Sequence, residues 1–443
     1  MKRNTGLGWR IAAGLGAAAA VAAANAQSSD ALIDKLVDKG ILTVKEANDL
    51  RAEADKDFAK AYAVKSGMPE WVNSLKFNGD VRLRYDGIYR DEAGFVDRNR
   101  FRYRLRFGAV ANLADDFEVG LRLASGTNGT DPISSNETMQ DNAVKKGIAL
   151  DAVYAKWNPI HTANWNGTLI GGKMENPLVF SDLIFDQDYT PEGLGQQVVY
   201  TINDKHAVKL NAGEFVLDEI GGSSRDPYLV AGQIRLDSTW NTHWQSSFGL
   251  SGLAVSGKDG LRGVNGTTAA TVPDVNVGNT RDAQGALVNN YNPWVADASV
   301  VYTLESFPMY AGAFPIRVGG DYAQNPGADV KNTAYSVGIT FGKSGKRGTW
   351  DLGYRYKYLE SDFWWEELVD SDSGTYYSTA PLGGRRGYQP GTNIRGHVVR
   401  AMYSPFDSLT VGFTYFLLDA IEASPLDSGS TIGRLQVDAV FKF

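Results

Sequence analysis

One stretch limits what this chain can fold into. Residues 98–113 read RNRFRYRLRFGAVANL, with arginine at every second position from Arg98 to Arg106 and mostly aromatic or aliphatic residues between them. A helix would spread the arginines around its axis, whereas a β-strand points successive side chains to opposite faces. Arginine keeps its charge in proteins. One face of this strand therefore needs water or carboxylates, and the other needs a hydrophobic core or lipid.

The same period-two alternation continues to the C-terminus, and it predicts sixteen strands in all. The predicted strands are 77–86, 98–113, 117–125, 148–158, 168–174, 195–202, 207–216, 228–237, 244–255, 294–304, 314–322, 333–341, 350–360, 395–403, 409–417 and 433–443.

The connections between these strands alternate in length. The short ones include 112–116, 203–206, 237–243, 342–348 and 404–408; the long ones include 85–98, 126–147, 175–194, 255–292 and 360–393. Short turns at one rim and long loops at the other are typical of an outer-membrane barrel. A soluble β-sandwich gives no reason for such an alternation. The predicted fold is therefore all-β: a transmembrane antiparallel up-and-down β-barrel of about 16 strands, with a short N-terminal helical segment.

In a barrel of this kind the arginines must face the lumen. An arginine that faces the bilayer midplane costs ~2–4 kcal/mol, and this strand carries several. Sixteen strands leave an aqueous channel, whereas about eight would be filled by side chains. Tryptophan and tyrosine prefer the headgroup level, and the sequence places Tyr154, Trp157, Trp240, Trp244, Trp294 and Tyr302 near predicted strand ends.

The N-terminal region differs from the rest of the chain. A basic start, an Ala-rich apolar run and the A-x-A sequence at residues 24–26 predict a signal peptide over 1–26. A periplasmic helical hairpin is predicted over 27–64, with Thr43 and Glu46 as a capping box for its second helix. A linker over 65–76 and the outer-membrane barrel over 77–443 follow. The hairpin could pack on the barrel as an appendage, or it could self-associate or meet the cell wall.

Several kinds of site are absent from the sequence. The chain has no cysteine, which excludes disulfides and thiolate metal sites. After residue 26 there is no run of 18 or more apolar residues, so no transmembrane helix is predicted there. The 44 Lys and Arg residues are outnumbered by 51 Asp and Glu residues, and the chain is predicted to be exported, so nucleic acid is not an expected partner. No cofactor is predicted.

Four segments carry a resemblance to a known family. They are LIDKLVDKGILTVKEANDL at 32–50, LDAVYAKWNP at 150–159, GGKMENPLVFSDLIFDQDYTPEGLG at 171–195 and the C-terminal LQVDAVFKF at 435–443. With these segments the chain resembles bacterial outer-membrane porins, most of all the group called putative porins. The resemblance implies passive diffusion of small hydrophilic solutes across the outer membrane, usually through homotrimers, with membrane lipid and lipopolysaccharide as neighbours.

The resemblance also indicates where a constriction would lie. In porins the loop that corresponds to 175–195 folds into the barrel and narrows it. In this sequence that loop is acidic, and its carboxylates would oppose arginines on the barrel wall, where the two sets of charge would create a transverse field. The predicted constriction acids are Glu175, Asp182, Asp186, Asp188 and Glu192, and the predicted pore-lining basic residues are Arg82, Arg84, Arg100, Arg102, Arg104 and Arg106. The arginines favour anions, although the acidic loop could cancel that preference.

Other interpretations of these charges remain open. The arginines could simply be hydrated, or they could pair with acids and stiffen the wall. The acids Asp182, Asp186 and Asp188 could bind calcium through their oxygens, but their spacing is not that of an EF-hand, and no metal site is predicted. A second acidic group, Asp362, Glu366, Glu367, Asp370 and Asp372, is expected to form a solvated surface or to meet lipopolysaccharide and divalent ions.

Two other classes of function compete with a porin. An outer-membrane hydrolase would need a nucleophile with a histidine in reach; the four histidines lie on different predicted hairpins and no G-x-S-x-G motif is present. No enzymatic activity is therefore predicted. A plugged structural or adhesive barrel is the other alternative, which the long loops permit and the charged inner wall disfavours.

Overall fold

The computed structural model describes residues 67–90, 96–126, 133–222, 224–261, 278–282, 286–373, 391–422 and 431–443. The chain divides after Ser74, and nearly all of the barrel lies in the unit Leu75–Phe443. The predicted signal peptide 1–26 and helical hairpin 27–64 lie outside the described residues. The domain boundaries stay predictions.

The described chain is built almost entirely of antiparallel strands. They are β1 (Val72–Arg90), β2 (Arg98–Leu113), β3 (Phe117–Ser125), β4 (Glu137–Thr138), β5 (Ile148–His161), β6 (Trp165–Lys173), β7 (Glu192–Asn203), β8 (His206–Val216), β9 (Tyr228–Thr239), β10 (Trp244–Ser256), β11 (Trp294–Leu304), β12 (Phe314–Gln324), β13 (Thr333–Gly342), β14 (Thr349–Leu359), β15 (Ile394–Phe406), β16 (Leu409–Ala420) and β17 (Ile432–Lys442), with short 3-10 helices at Ala114–Asp116 and Lys258–Gly260. Within the described ranges, no helix has the length and apolar character that a membrane crossing requires.

All sixteen predicted strands are present, and together they form one closed antiparallel barrel. Strand β1 pairs with β2 and also with β17, from Asp80 opposite Lys442 to Arg90 opposite Ile432. A closed barrel has no free edge, which is what a sheet in hydrocarbon requires. The predicted fold class is confirmed. The largest difference is that β1 begins at Val72, within the predicted linker.

The arginine strand β2 has two partners on one side. Its second half pairs with β3, from Arg106 opposite Ala124 to Asn112 opposite Glu118. Its first half extends beyond the end of β3 and pairs instead with the two-residue strand β4. The sequence did not predict β4. This pairing brings the segment 133–138 beside the arginines.

The two faces of β2 separate as the alternation predicts. Phe101 is 62% exposed, whereas Arg104 is 5% exposed. The interior is identified by a buried apolar cluster whose strand members come from β1 and from every strand between β8 and β17, which places the cluster inside the closed barrel. Its strand members include Ile88, Phe215, Leu229, Leu253, Val295, Ala323, Ala334, Leu359, Ile394, Ala420 and Ile432. Ile88 shares its face of β1 with the alternate positions 82, 84 and 86, so those side chains are also on the inner face.

Aromatic pairs mark both ends of the barrel wall. Near the short turns Trp244 packs on Tyr302 with ring centroids 4.7 Å apart, and near the long loops Trp294 packs on Tyr322 at 5.3 Å. Trp294 and Tyr302 are on one strand, and their separation of eight residues spans roughly 27 Å along it. Tilted by about 40°, this length spans roughly 21 Å along the membrane normal, a few ångströms less than the hydrophobic band of about 25 Å between two aromatic girdles. Tyr154 was expected in an aromatic girdle, but that prediction is wrong. Its side chain lies on the inner face, where its hydroxyl donates to Glu118 Oε1 at 2.9 Å.

Candidate functional site

The loop 174–191, between β6 and β7, crosses the interior of the barrel. Its middle residues contact strands that lie far apart around the wall. The contacts are Val179 N to Gln233 Oε1 on β9 (3.0 Å), Ser181 Oγ to Asp321 Oδ2 on β12 (2.8 Å), Asp182 Oδ1 to Arg355 Nη1 on β14 (2.6 Å) and Asp188 Oδ2 to Arg104 Nη1 on β2 (3.2 Å). Such a spread of partners requires the loop to lie inside the barrel.

A second loop, the part of the β14–β15 connection at 360–373, packs against the first. The indole of Trp364 donates to Ile184 O at 3.0 Å, and its ring meets Phe185 edge-on with centroids 6.2 Å apart. The backbone N–H of Asp186 donates to Leu368 O at 2.8 Å. The two loops therefore share an apolar contact and a backbone hydrogen bond within the lumen.

The acids of this second loop are not a solvated surface, so that expectation is wrong for four of the five. Asp362, Glu366, Glu367 and Asp370 are buried, and Glu366 is 0% exposed. The segment 278–282 supplies partners for two of them: Asn279 N donates to Glu366 at 2.6 Å, Thr280 N donates to Asp362 at 2.8 Å, and Arg281 forms an ion pair with Glu366. The partners are more than eighty positions apart in the chain, which local sequence patterns cannot reveal.

The predicted acids of the first loop are distributed over several partners. Only Asp188 meets predicted arginines: Arg104 at 3.2 Å and Arg106 at 3.3 Å. The other four acids contact groups that the sequence analysis did not propose. Asp182 contacts Arg355 at 2.6 Å and Lys357 at 2.7 Å, Asp186 accepts from Ser371 N and Oγ at 2.8 Å each, Glu175 pairs with Arg122, and Glu192, already in β7, contacts Lys173 at 3.1 Å.

Most of the predicted arginines pair with carboxylates of the wall itself. Arg84 holds Asp438 with two bonds of 2.7 and 2.8 Å, Arg100 Nε donates to Asp86 at 2.8 Å, and both Arg104 and Arg106 contact Asp80, at 2.9 and 2.6 Å. Arg434 of β17 also contacts Asp86, at 2.8 Å. The sequence analysis missed these partners. The sequence did contain a signal for two of these partners. Asp80 and Asp86 lie at alternate positions of β1, on the same face as the arginines of that strand.

Arg82 and Arg102 have different surroundings. Arg82 Nη2 donates to the side-chain oxygen of Asn136 at 2.8 Å, and Arg102 Nη2 donates to the backbone oxygen of the same residue at 3.0 Å. The nearest carboxylate oxygen to Arg102 belongs to Asp86, at 3.9 Å. Among the described residues, no carboxylate oxygen lies within 4.0 Å of the guanidinium of Arg82.

Burial and neighbouring charges shift the pKa values of two carboxyl groups of the first loop in opposite directions. Burial raises the pKa of Asp186 well above its usual range, and the nearby carboxylates of Asp370 and Asp188 raise it further. Burial would also raise the pKa of Asp182, but the charges of Lys357 and Arg355 outweigh it and hold that pKa below the usual range. The carboxyl of Asp186, where the two loops meet, therefore has a higher pKa than a solvated carboxyl, and that of Asp182 has a lower one.

A metal site finds no support in this geometry. Asp182 and Asp188, two of the three acids considered for calcium, are each already within 3.3 Å of fixed cationic side chains. In the part of the chain that the structure describes, no group of three or more His, Asp or Glu side chains could hold a metal ion.

The comparisons with known proteins agree with this architecture. Residues 94–256 match the family model described as "Putative porin", so the resemblance is confirmed over that range. The solved structure of OprB from Pseudomonas putida at high pH shares 14% identity and a TM-score of 0.50, and the match covers 83% of this chain and 94% of that one. Two engineered variants of the porin from Rhodopseudomonas blastica cover 84% of this chain and all of theirs, at 11% identity, with TM-scores of 0.41 and 0.40. No curated protein sequence is significantly similar to the chain. The family match and the porin-like barrel support an outer-membrane channel.

Proposed function

We propose that this porin-like barrel is a water-filled channel of the bacterial outer membrane, through which small hydrophilic solutes diffuse passively. The loop 174–191 is its constriction. One observation carries the proposal: this loop lies within a sixteen-strand barrel, and its acids face cations on well-separated strands of the wall, Arg104 on β2 and Lys357 on β14. Fixed charges of opposite sign at a narrow point align polar solutes and discriminate among charged ones.

The balance of charge on the wall predicts the selectivity. Of the seven arginines that lie away from the strand ends on β1, β2 and β17, five have a carboxylate partner, and two do not have one within 3.5 Å among the described residues. The arginines are Arg82, Arg84, Arg100, Arg102, Arg104, Arg106 and Arg434, and the carboxylates around them are Asp80, Asp86, Asp188, Asp372 and Asp438. The expected channel is therefore only moderately selective for anions, because most of its positive charge is compensated locally.

Conductance measurements test the channel directly. The protein is inserted into planar bilayers under a potassium chloride gradient, and the reversal potential gives the charge preference. Stepwise conductance with a modest anion preference is expected. A clear preference for cations would contradict the arginine-lined wall, and an absence of conductance from correctly folded protein would contradict the pore.

A closed structural barrel is the second candidate, and one observation favours it. Phe185, Trp364 and Trp365 are all buried in an apolar cluster within the barrel, where they occupy space that a solute would need. Liposome swelling with sugars of graded size separates the two functions. A porin gives a size-dependent rate of swelling, whereas a plugged barrel gives none even for the smallest sugar.

We further propose a homotrimer in contact with outer-membrane lipid and lipopolysaccharide, without enzymatic activity. The support is the resemblance to porins, together with exposed apolar side chains such as Phe101 and Leu105 on the outer face of the wall. Electrophoresis of unheated and heated samples in detergent tests the assembly: a trimer gives a slow band that converts to the monomer position only on heating.

A further inference from the structure

Two of the wall arginines stand apart from their neighbours by their lack of a close counter-ion. Arg84, Arg100, Arg104, Arg106 and Arg434 all have a carboxylate oxygen within 3.0 Å. Arg82 has none within 4.0 Å among the described residues, and Arg102 has only Asp86 at 3.9 Å. Among the seven arginines compared on β1, β2 and β17, these two are therefore the ones whose charge lacks a close counter-ion.

The two guanidiniums converge on one residue. Both Nη2 atoms reach Asn136, the first at the amide oxygen (2.8 Å) and the second at the backbone oxygen (3.0 Å). Arg102 also lies 3.4 Å from the hydroxyl of Ser134. All of these acceptors are neutral. In the same position, the five arginines named above have a carboxylate.

Further donors of the pair are unused. The Nε atoms of both Arg82 and Arg102 are buried, and neither has a hydrogen-bond partner among the described residues. A buried donor without a partner is unfavourable, more so when it carries charge. Asn136 is itself 6% exposed, and β4, which follows it directly, holds its segment beside β2. The cluster is therefore built into the wall and is not a chance meeting of mobile surface chains.

We propose that Arg82 and Arg102 form a binding site for a small oxyanion, a carboxylate or a phosphate, with Asn136 and Ser134 completing it. The amide oxygen of Asn136 occupies the position that an oxygen of the anion takes, and rotation of the amide would turn its nitrogen toward the bound anion. Guanidinium groups bind both oxyanions through paired N–H donors. A role of this cluster in solute passage rests on the proposed channel function, whereas the binding of an anion to it does not.

Calorimetry on the full chain folded in detergent tests the site without requiring conduction. Inorganic phosphate and succinate are titrated separately into protein equilibrated in chloride at the same ionic strength. Saturable binding of at least one of them is expected, and the tighter of the two identifies the class of anion.

Three substitutions assign that binding to the cluster. Arg82→Gln and Arg102→Gln should each weaken it by roughly tenfold or more. Asn136→Asp keeps the size of the side chain but supplies the missing carboxylate, so it should abolish binding. The control is Arg317→Gln on β12, which removes the same charge where the guanidinium contacts the Ser299 hydroxyl at 3.2 Å, and it should leave the affinity unchanged.

Two results would contradict the proposed anion site directly. One is the absence of saturable binding for both anions, and the other is undiminished binding in Asn136→Asp. Equal weakening in the Arg317→Gln control would show a general effect of lumenal charge instead of a site. The proposed channel is judged separately: binding without conductance would contradict the channel alone, and conductance without binding would contradict the site alone.

Discussion

At the scale of single residues, some carboxylates of the inner wall, such as Asp80 and Asp86, each contact more than one cation. Asp86 is 0% exposed and lies between Arg100 and Arg434, at 2.8 Å from each. Removing one member of a buried ion pair leaves the other charge buried without compensation, which costs about 3–5 kcal/mol.

Replacement of Asp86 with Asn should therefore destabilise the barrel strongly. The expected effect is a clear fall in the temperature at which the folded band disappears in heat-modifiability gels. Glu219→Gln, a change in an exposed loop, is the control and should leave that temperature unchanged. An unchanged midpoint in Asp86→Asn would show that water in the lumen already solvates both arginines.

Asp186 gives a prediction of pH dependence. Burial, reinforced by Asp370 and Asp188, raises the pKa of its carboxyl in the folded protein. A group with a raised pKa stabilises the folded state fully below its unfolded pKa of about 4, and this contribution is lost as the pH rises through the folded pKa. The contact between the two lumenal loops should therefore weaken as the pH rises above about 4.

The substitution Asp186→Asn tests this origin, because the amide has the shape of the carboxyl but cannot ionise. Thermal midpoints of the wild type should fall as the medium is made more alkaline, and those of the variant should fall less. Equal pH profiles for the two proteins would assign the dependence to other groups.

At the scale of elements, the strands could be predicted and the lumenal loops could not. Period-two alternation is a local property, so all sixteen strands from β1 to β17, apart from the two-residue β4, could be read from short windows. The partners of the loops could not. Trp364 meets Ile184 and Asp186 meets Ser371, and these pairs are separated by 180 and 185 positions. A long connection that contains a tryptophan beside several acids resembles an exposed loop in composition. Only the three-dimensional structure of the closed barrel shows that this connection turns inward.

The contact between the loops can be tested by truncating its central side chain. Trp364 is 0% exposed, and loss of a buried tryptophan costs about 3–5 kcal/mol. Trp364→Ala should release the second loop from Ile184 and increase the single-channel conductance. Trp240→Ala, at a position that is 54% exposed near a short turn, is the control and should leave the conductance unchanged. Identical conductance in Trp364→Ala would show that the two loops do not limit the flow of ions.

At the scale of the whole molecule, selectivity follows from the sum of fixed charges in the lumen, most of which are already matched. Asp188 is the loop carboxylate that faces two wall arginines, Arg104 and Arg106. Its removal leaves those arginines with Asp80 alone.

Asp188→Asn should therefore shift the reversal potential in a potassium chloride gradient toward the chloride potential. Glu219→Gln, which removes the same charge from an exposed loop, should shift it much less. A shift of Asp188→Asn toward potassium would contradict the arrangement proposed for the constriction.

The pairing of β1 with β17 has a consequence for how the chain is completed. Two ion pairs fasten this seam from within, Arg84 to Asp438 and Arg434 to Asp86, and they join positions 354 and 348 residues apart. A polypeptide released before its last strand would keep Arg84 and Asp86 in the first strand without these partners. The last strand therefore completes the set of counter-ions around Arg84 and Asp86, to which Asp372 and Arg100 contribute from elsewhere in the chain.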